Sequence, residues 1–383
     1  MRIGLIFTND WEIFGDGSGD FWEIQYKPMK QILDLMAEHN AKMTIMAEVG
    51  QQFGFKTIST INKDALKISD AWEELITNAL IDGHDVQLHF HPQWLDASYN
   101  DEKWLLNNNK WAIGKLQENE IRRILTQGKE YLESLLQKVK SDYKCNCFRA
   151  GAYYIEPSEN VIKVLRELEF ICDTSVTKGL ISDNYFDYSN AYSNVLPYFI
   201  GNDIKFKSEA DENLIELPIY SDISINSNAL KKFFPKIYSI LRYKSLIPDD
   251  EIEWAKERDR LKNIRYPKEN RFYKQNQKKD FKFYFSQIIG KQAQQLDYDY
   301  IYPTEFIKII KNIYNSPDLK KIKNKDLILP VVASGHVKDI PNTYNIEKII
   351  KLLKNEFGSD IVFLTLTDAV NYFQINKEHF TKN

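Results

Sequence analysis

Short apolar segments alternate with amphipathic segments along most of this 383-residue chain, and this alternation restricts the folds that it can adopt. Residues 2–8, 43–46 and 86–91 have the composition of buried strands, and 28–39 and 70–81 carry apolar side chains at helical spacing. Short strands that are each followed by a helix are typical of parallel sheets, because the helix returns the chain to the start of the next strand. The pattern therefore predicts an α/β barrel or an open doubly wound sheet.

The alternation continues to residue 221 and resumes near residue 327. It predicts further helices and strands at 118–139, 145–149, 158–168, 170–173, 214–219, 327–333, 345–356, 361–364 and 367–374. Residues 222–326 break the pattern and show only weak helical periodicity, at 250–263 and 303–314. We predict a barrel formed by 1–221 and 327–383, with a mainly helical insertion or lid subdomain at 222–326.

The predicted insertion is basic, although the whole chain is nearly neutral, with Lys+Arg 51 against Asp+Glu 54. Residues 231–325 hold 23 Lys+Arg against 12 Asp+Glu, a net +11, which leaves 28 against 42, a net −14, for the remainder. Such a segment could contact an anionic glycan or a lipid-linked precursor, or it could be a solvated helical lid. Nucleic acid is not expected as a partner, because no recognised binding module accompanies the charge.

The composition also indicates the cellular compartment in which the protein is expected. With 43% hydrophobic residues the chain is expected to be globular, yet no apolar run approaches the ~18 residues that a membrane helix needs. The apolar stretch at the N-terminus is too short for a signal peptide. Three cysteines indicate buried, reduced thiols rather than a disulfide scaffold. We expect a cytoplasmic protein, with the inner face of the membrane as the alternative.

Ionisable side chains stand at the ends of five predicted strands, where the chemistry of α/β barrels is located. They are Asp10 and Glu12, His89 and His91, Arg149, Asp173, and His336. Two imidazoles and a carboxylate are a common ligand set for a catalytic divalent ion, which lowers the pKa of water. A second carboxylate that a cation keeps ionised can act as a base, and we assign these roles to Asp10 and Arg149. His336 would then protonate the leaving group.

Five short motifs follow one another along the chain: Thr8-Asn9-Asp10-Trp11-Glu12, Gly83-His84-Asp85-Val86-Gln87-Leu88-His89-Phe90-His91-Pro92, Phe148-Arg149-Ala150-Gly151-Ala152-Tyr153, Glu216-Leu217-Pro218 and Ser334-Gly335-His336. The first is similar to T-x-D-x-D and the second to G-H-E-I-G-x-H. In this order the motifs resemble those of the polysaccharide deacetylase (chitooligosaccharide deacetylase homology) family of carbohydrate esterases. The resemblance implies a distorted (β/α)7 barrel.

The resemblance also implies roles for individual residues. Asp10 would be the catalytic base, Glu12 the metal carboxylate and His89 the first histidine ligand, while Arg149 would orient the base and His336 would be the acid. The chain departs from the family in three places, one of which is that the third motif lacks the usual aromatic-Pro element. One residue rather than three separates His89 from His91, the expected second ligand, and Glu12 stands where the family has aspartate. The reverse assignment, with Asp10 on the metal and Glu12 as the base, remains open.

The resemblance implies a metal-dependent hydrolase that removes an acetyl group from an N-acetylated sugar of a surface polysaccharide or its precursor, with Zn²⁺ as the expected ion. Trp94, Tyr153 and Asp173 are predicted to bind the substrate, because they lie beside the predicted site and aromatic faces suit sugar rings. Two other functions stay open. One is a superfamily amidohydrolase that opens a non-sugar C–N bond, and the other is a non-catalytic glycan-binding protein.

Overall fold

The computed structural model describes residues 1–182, 185–209, 213–222, 247–266, 293–316 and 327–381. The strands are β1 (Arg2–Trp11), β2 (Met43–Glu48), β3 (Asp85–Phe90), β4 (Ser98–Asn100), β5 (Lys103–Leu105), β6 (Cys147–Ala150), β7 (Cys172–Asp173), β8 (Ile181–Ser182), β9 (Phe186–Asp187), β10 (Tyr198–Phe199), β11 (Ile215–Glu216), β12 (Ser221–Asp222), β13 (Gln294–Gln295), β14 (Ile328–Ala333) and β15 (Ile361–Phe363). The α-helices are α1 (Lys27–Glu38), α2 (Val49–Ile58), α3 (Lys63–Ile81), α4 (Glu118–Leu136), α5 (Glu159–Glu167), α6 (Asp249–Arg265), α7 (Pro303–Tyr314), α8 (Tyr344–Phe357) and α9 (Leu366–Thr381). Single helical turns lie at Trp22–Tyr26, Pro92–Trp94, Ile113–Lys115, Gly151–Tyr153, Val337–Asp339 and Gly358–Asp360.

The main sheet curls until its two ends meet. Its strand order is β10-β11-β7-β6-β3-β2-β1-β14, with β15 also paired to β1, and every pairing but β10 with β11 is parallel. Beyond β11, Ile219 forms a parallel bridge with Val332 of β14, and the Tyr220 amide donates to the Val332 carbonyl at 3.0 Å. Seven parallel strands, β1, β2, β3, β6, β7, β11 and β14, thus form a ring. The prediction of a distorted (β/α)7 barrel is confirmed.

The central strands are buried on both faces, as expected of a parallel sheet that is covered by helices. All six residues of β2 and all six of β3 are buried. Trp11 of β1 is fully buried, and its ring stacks on that of Trp72 at a centroid distance of 5.4 Å. The three cysteines are buried and free, as predicted.

The described part of residues 222–326 shares the hydrophobic core of the barrel. Phe306 and Ile310 on α7, together with Leu296 and Tyr298, belong to the same buried cluster as the strands. The weak periodicity predicted helices at 250–263 and 303–314, and α6 and α7 occupy those positions. Residues 223–246, 267–292 and 317–326 lie outside the described residues, so the boundaries and the charge of the insertion stay predictions.

Helix α2 is the main element that the sequence did not predict. It contains Gly50 and Gly54, and glycine disfavours helix by about 1 kcal/mol relative to alanine. Its first turn is capped by Glu48, whose Oε1 accepts from the amides of Gly50 at 2.9 Å and Gln51 at 3.3 Å. Glutamate is not among the preferred N-cap residues, so the sequence showed neither a typical N-cap nor a composition that favours helix at this position. No helix among the described residues is long and apolar enough to cross a membrane.

Candidate active site

Two histidines at the end of β3 form the centre of the site. His89 and His91 alternate along an extended chain, so both side chains project to the same side. Both are buried, and their rings meet edge to face at a centroid distance of 4.9 Å. His89 Nδ1 lies 3.0 Å from the carbonyl of Arg149, which can only accept, so Nδ1 carries the proton and Nε2 keeps its lone pair. This arrangement is typical of a metal-binding histidine.

Glu12, just beyond β1, reaches both imidazoles. Its Oε2 lies 3.5 Å from His89 Nε2 and 2.7 Å from His91 Nε2, while its Oε1 accepts from the Lys338 ammonium. Burial raises the pKa of Glu12, but the charges of His91 and Lys338 outweigh it and hold that pKa well below the usual value. Glu12 is therefore a carboxylate that faces the histidines with one oxygen and a lysine with the other.

Glu48 is a fourth member of this group, and the sequence did not predict it. It ends β2 and pairs in register with His89 of β3. One ligand atom from each of Glu12, Glu48, His89 and His91 lies within 4.8 Å of the others. Burial, aided by the charge of Glu12 and opposed by His91, raises the pKa of Glu48 to about 8. The predicted strand ended at Met46, two residues too early, and a longer strand would have placed Glu48 among the other strand-end residues.

The polar atoms of this group fit a divalent ion. Glu48 Oε2 is buried and has no hydrogen-bond partner among the described residues, and the Nε2 atoms of His89 and His91 face the carboxylate of Glu12 at 3.5 and 2.7 Å. Buried polar atoms in folded proteins nearly always have a partner, so an unpartnered carboxylate oxygen beside a second carboxylate and two imidazoles requires an explanation. Imidazole nitrogen and carboxylate oxygen are ligands for Zn²⁺ and for other first-row divalent ions.

An ion pair lies next to the histidines. Arg149 on β6 is fully buried, and its Nη1 donates to Asp10 Oδ1 at 2.6 Å and to Thr8 Oγ1 at 2.9 Å. Its Nε donates to the carbonyl of Thr174 at 3.0 Å, which fixes the plane of the guanidinium. Burial raises the pKa of Asp10. The charges of Arg149, His89 and His336 lower it by more than burial raises it, so the net pKa lies below the usual value. Asp10 is thus held ionised without facing solvent.

His336 stands on the other side of Asp10. Its Nε2 lies 3.6 Å from Asp10 Oδ2, and its side chain is 20% exposed, more than that of Asp10 or Glu12. The loop that carries it is held from two directions, since the His336 amide donates to Asp299 and the Gly335 carbonyl accepts from the Asp10 amide at 3.0 Å. Burial and Lys338 lower the pKa of His336, against the opposing effect of Asp10, so the imidazole is neutral near pH 7.

The three residues predicted to bind substrate occupy different surroundings. Tyr153 is half-buried and its hydroxyl accepts from Gln295 Nε2 at 3.0 Å. Trp94 is only 6% exposed and packs in a small apolar cluster with Ile13 and Phe14. Asp173 is fully buried, one strand beyond Arg149, and its carboxylate accepts from the amide and hydroxyl of Ser175.

A segment from the predicted insertion also contributes to the site. The hydroxyl of Tyr298 donates to the Thr8 carbonyl at 3.0 Å and accepts from Asn9 Nδ2 at 2.8 Å. Gln295 Nε2 also donates to the hydroxyl of Ser334, two residues before His336. The sequence analysis missed these contacts, although Leu296, Tyr298 and Tyr300 alternate with Asp297 and Asp299 in a strand-like pattern.

No protein-family model and no curated protein matches the sequence. Among solved structures, the chain is similar to one described as a polysaccharide deacetylase from Mycobacterium smegmatis, with 14% identity, a TM-score of 0.47, and 98% of this chain and 92% of that chain covered. PuuE allantoinase matches with 11% identity, a TM-score of 0.46, and 98% and 91% covered. A protein described as a polysaccharide deacetylase from Pseudomonas aeruginosa PAO1 matches with 12% identity, a TM-score of 0.46, and 98% and 91% covered. Polysaccharide deacetylases are thus among the structures that this chain resembles, and we base the functional proposal on the site itself.

Proposed function

We propose that this protein is a metal-dependent hydrolase that removes the acetyl group from an N-acetylated sugar of a surface polysaccharide or its precursor. The observation that carries the proposal is one cluster of residues with three parts. A candidate metal-binding group (Glu12, His89 and His91) lies next to an ionised carboxylate, Asp10, and a neutral imidazole, His336. Hydrolysis of an amide needs these three functions: an electrophile, a base and an acid.

A divalent ion in this group, with Zn²⁺ as the expected ion, would polarise the acetyl carbonyl and lower the pKa of water. Glu12, His89 and His91 would hold it. Asp10 would take a proton from the attacking water as the bond from its oxygen to the acetyl carbon forms. Arg149 keeps Asp10 ionised and oriented for this step through the 2.6 Å contact.

His336 would deliver a proton to the amine. Because its pKa is lowered, it starts neutral and must first receive a proton. Asp10 Oδ2 lies 3.6 Å from His336 Nε2, so the proton gained by Asp10 can pass to the imidazole. His336 would then protonate the amide nitrogen as the C–N bond breaks, which yields a free amine and acetate.

Tyr153, Trp94 and Asp173 remain the proposed substrate contacts. Tyr153 is the best placed of the three, because the residue is partly exposed and its hydroxyl accepts from Gln295. Trp94 and Asp173 are buried, so they would shape the wall behind the sugar rather than cover its face.

The test is acetate release from N-acetylhexosamine oligomers by the full chain loaded with Zn²⁺, with a cyclic ureide as the comparison substrate. Asp10→Asn removes the base without changing side-chain size, and we expect a loss of about 10²–10⁴-fold in kcat. Asp34→Asn, at an exposed position on α1, is the matched control and should retain activity.

Three results would overturn the proposal. Turnover of the ureide without acetate release would indicate an amidohydrolase for non-sugar substrates. Metal binding without turnover of any substrate, together with association to glycans, would indicate a binding protein. Equal activity of Asp10→Asn and Asp34→Asn would remove the proposed base.

A further inference from the structure

Glu48 has one carboxylate oxygen in use and one without a partner. Oε1 accepts two backbone amides at the start of α2, from Gly50 and Gln51. Oε2 is buried and makes no hydrogen bond with any described residue. Because two amides fix the carboxylate group, the direction of the free oxygen is also fixed, and Glu48 belongs to the group that includes Glu12, His89 and His91.

Two fully buried glutamines hold the loops that carry Glu12 and Glu48. Gln51 on α2 accepts from the Ile13 amide at 2.9 Å through Oε1 and donates to Gln25 Oε1 at 2.7 Å. Gln25 in turn donates to the carbonyl of Trp11 at 2.9 Å. The residues on each side of Glu12 are therefore tied to the helix that Glu48 caps. A network of this kind fixes the separation of two side chains, as the groups behind metal ligands do.

We propose that Glu48 is a fourth protein ligand of the ion, so that the complete set is two glutamates and two histidines. The inference rests on the proposed function and adds to its three-residue set. Four protein ligands around a tetrahedral ion leave no position for water or substrate, which is the arrangement of a structural site. A site that is both four-liganded and reactive needs five- or six-fold coordination. Mixed carboxylate and imidazole ligands with that coordination suit Mn²⁺, Fe²⁺ or Co²⁺ as well as Zn²⁺.

The alternative role for Glu48 is that of a helix cap alone, and one variant separates the two. Glu48→Gln keeps an oxygen that can accept from the Gly50 and Gln51 amides, but it replaces the free carboxylate oxygen with an amide NH₂. Glu38→Gln, at an exposed position at the end of α1, makes the same chemical change far from the site.

The experiment is calorimetric titration of the metal-stripped full chain with Mn²⁺ and with Zn²⁺, for the wild type and both variants. If Glu48 is a ligand, Glu48→Gln weakens binding by at least about 10–100-fold, the loss that is typical when a metal site loses even an outer partner. Glu38→Gln should bind as the wild type does. Thermal unfolding without metal checks that Glu48→Gln keeps the cap. If Glu48 only caps α2, the variant should match the wild type in both thermal stability and affinity for metal.

The visible spectrum of the Co²⁺-substituted wild type reports the coordination number, because four-coordinate Co²⁺ absorbs strongly and six-coordinate Co²⁺ weakly. Weak absorption supports an ion that has four protein ligands and an open position for water, and strong absorption contradicts the combination of four protein ligands with hydrolysis. If Glu48→Gln binds metal as tightly as the wild type and acetate release still depends on metal, Glu48 is not a ligand, while the proposed function stands. A wild type that takes up no metal overturns the proposed function and this inference with it.

Discussion

The ion pair between Arg149 and Asp10 allows a prediction whose size follows from the structure. Both side chains are buried, and their closest atoms are 2.6 Å apart. At an effective dielectric constant of about 20, a pair at this distance attracts with about 6 kcal/mol. Arg149→Met removes the cation and leaves a buried carboxylate that must either stay charged or take up a proton. Breaking a buried pair in this way usually costs about 3–5 kcal/mol, and we expect that loss at pH 7.

The pH dependence of this loss has a definite sign. In the wild type the pKa of Asp10 is lowered, so the pair stabilises the fold above the pKa of the unfolded chain, and this stabilisation disappears as the pH falls through the lowered folded value. In Arg149→Met the effect of burial is no longer opposed by the guanidinium, and the pKa of Asp10 rises. The difference in stability between the two proteins should therefore be largest near neutral pH and shrink on acidification.

The assay is urea unfolding followed by tryptophan fluorescence at pH 7 and pH 4.5, using the free energy of unfolding. Arg260→Met, on the exposed face of α6, is the matched control and should unfold as the wild type does, because its partner Glu257 is also exposed. The double variant Asp10→Asn with Arg149→Met should be more stable than Arg149→Met alone, since no charge is left buried. A loss below about 1 kcal/mol at pH 7, or a double variant less stable than the single one, would refute this reasoning.

Two further predictions concern neighbours of the site. Burial raises the pKa of Asp173 from 3.8 to about 6, so folding stability should fall as the pH rises through that interval, by about 3 kcal/mol at about 1.4 kcal/mol per unit. Asp173→Asn should make the fall in stability between pH 4 and pH 7 shallower in urea unfolding, and an unchanged slope would contradict the assignment. A Cβ on Gly335 would lie 2.3 Å from the ring of Tyr298, so Gly335→Ala should cost about 1–3 kcal/mol and reduce acetate release by displacing His336. Unchanged stability and turnover would show that this loop adapts.

The rules that predicted an α/β barrel or open sheet from the sequence also placed most residues of the candidate site at strand ends. In a parallel sheet all strands end at the same edge, so polar residues at strand ends must converge once the strands pair. The register of the strands shows this convergence. Glu48 pairs with His89, and His89 pairs with Arg149. Trp11 pairs with Ala47, so the residues that follow them, Glu12 and Glu48, lie side by side. These four residues therefore lie in one row across four strands. Local apolar patterns suffice to predict such a row when each strand end is located correctly.

The residues that sequence reasoning missed depend on contacts between distant parts of the chain. Tyr298 reaches Thr8 across 290 positions, and Lys338 reaches Glu12 across 326. Glu48 was missed for a different reason, because the glycines of α2 hid both the end of its strand and the helix that it caps. Neither kind of contact leaves a periodic signal in the sequence.

By itself, the sequence predicted a parallel sheet of alternating strands and helices and placed Asp10, Glu12, His89, His91, Arg149 and His336 at strand ends, because hydrophobic periodicity is local and parallel strands end at one edge. The closed barrel of seven strands was implied by the resemblance of the motifs to a known family. Only the tertiary structure decided which polar atoms have partners and which do not. It left Glu48 Oε2 without a hydrogen-bond partner and set the two imidazole nitrogens against Glu12, while Asp10 was paired with Arg149. That distinction depends on side-chain distances and burial, which set pKa values and ligand geometry and which no spacing along the chain specifies.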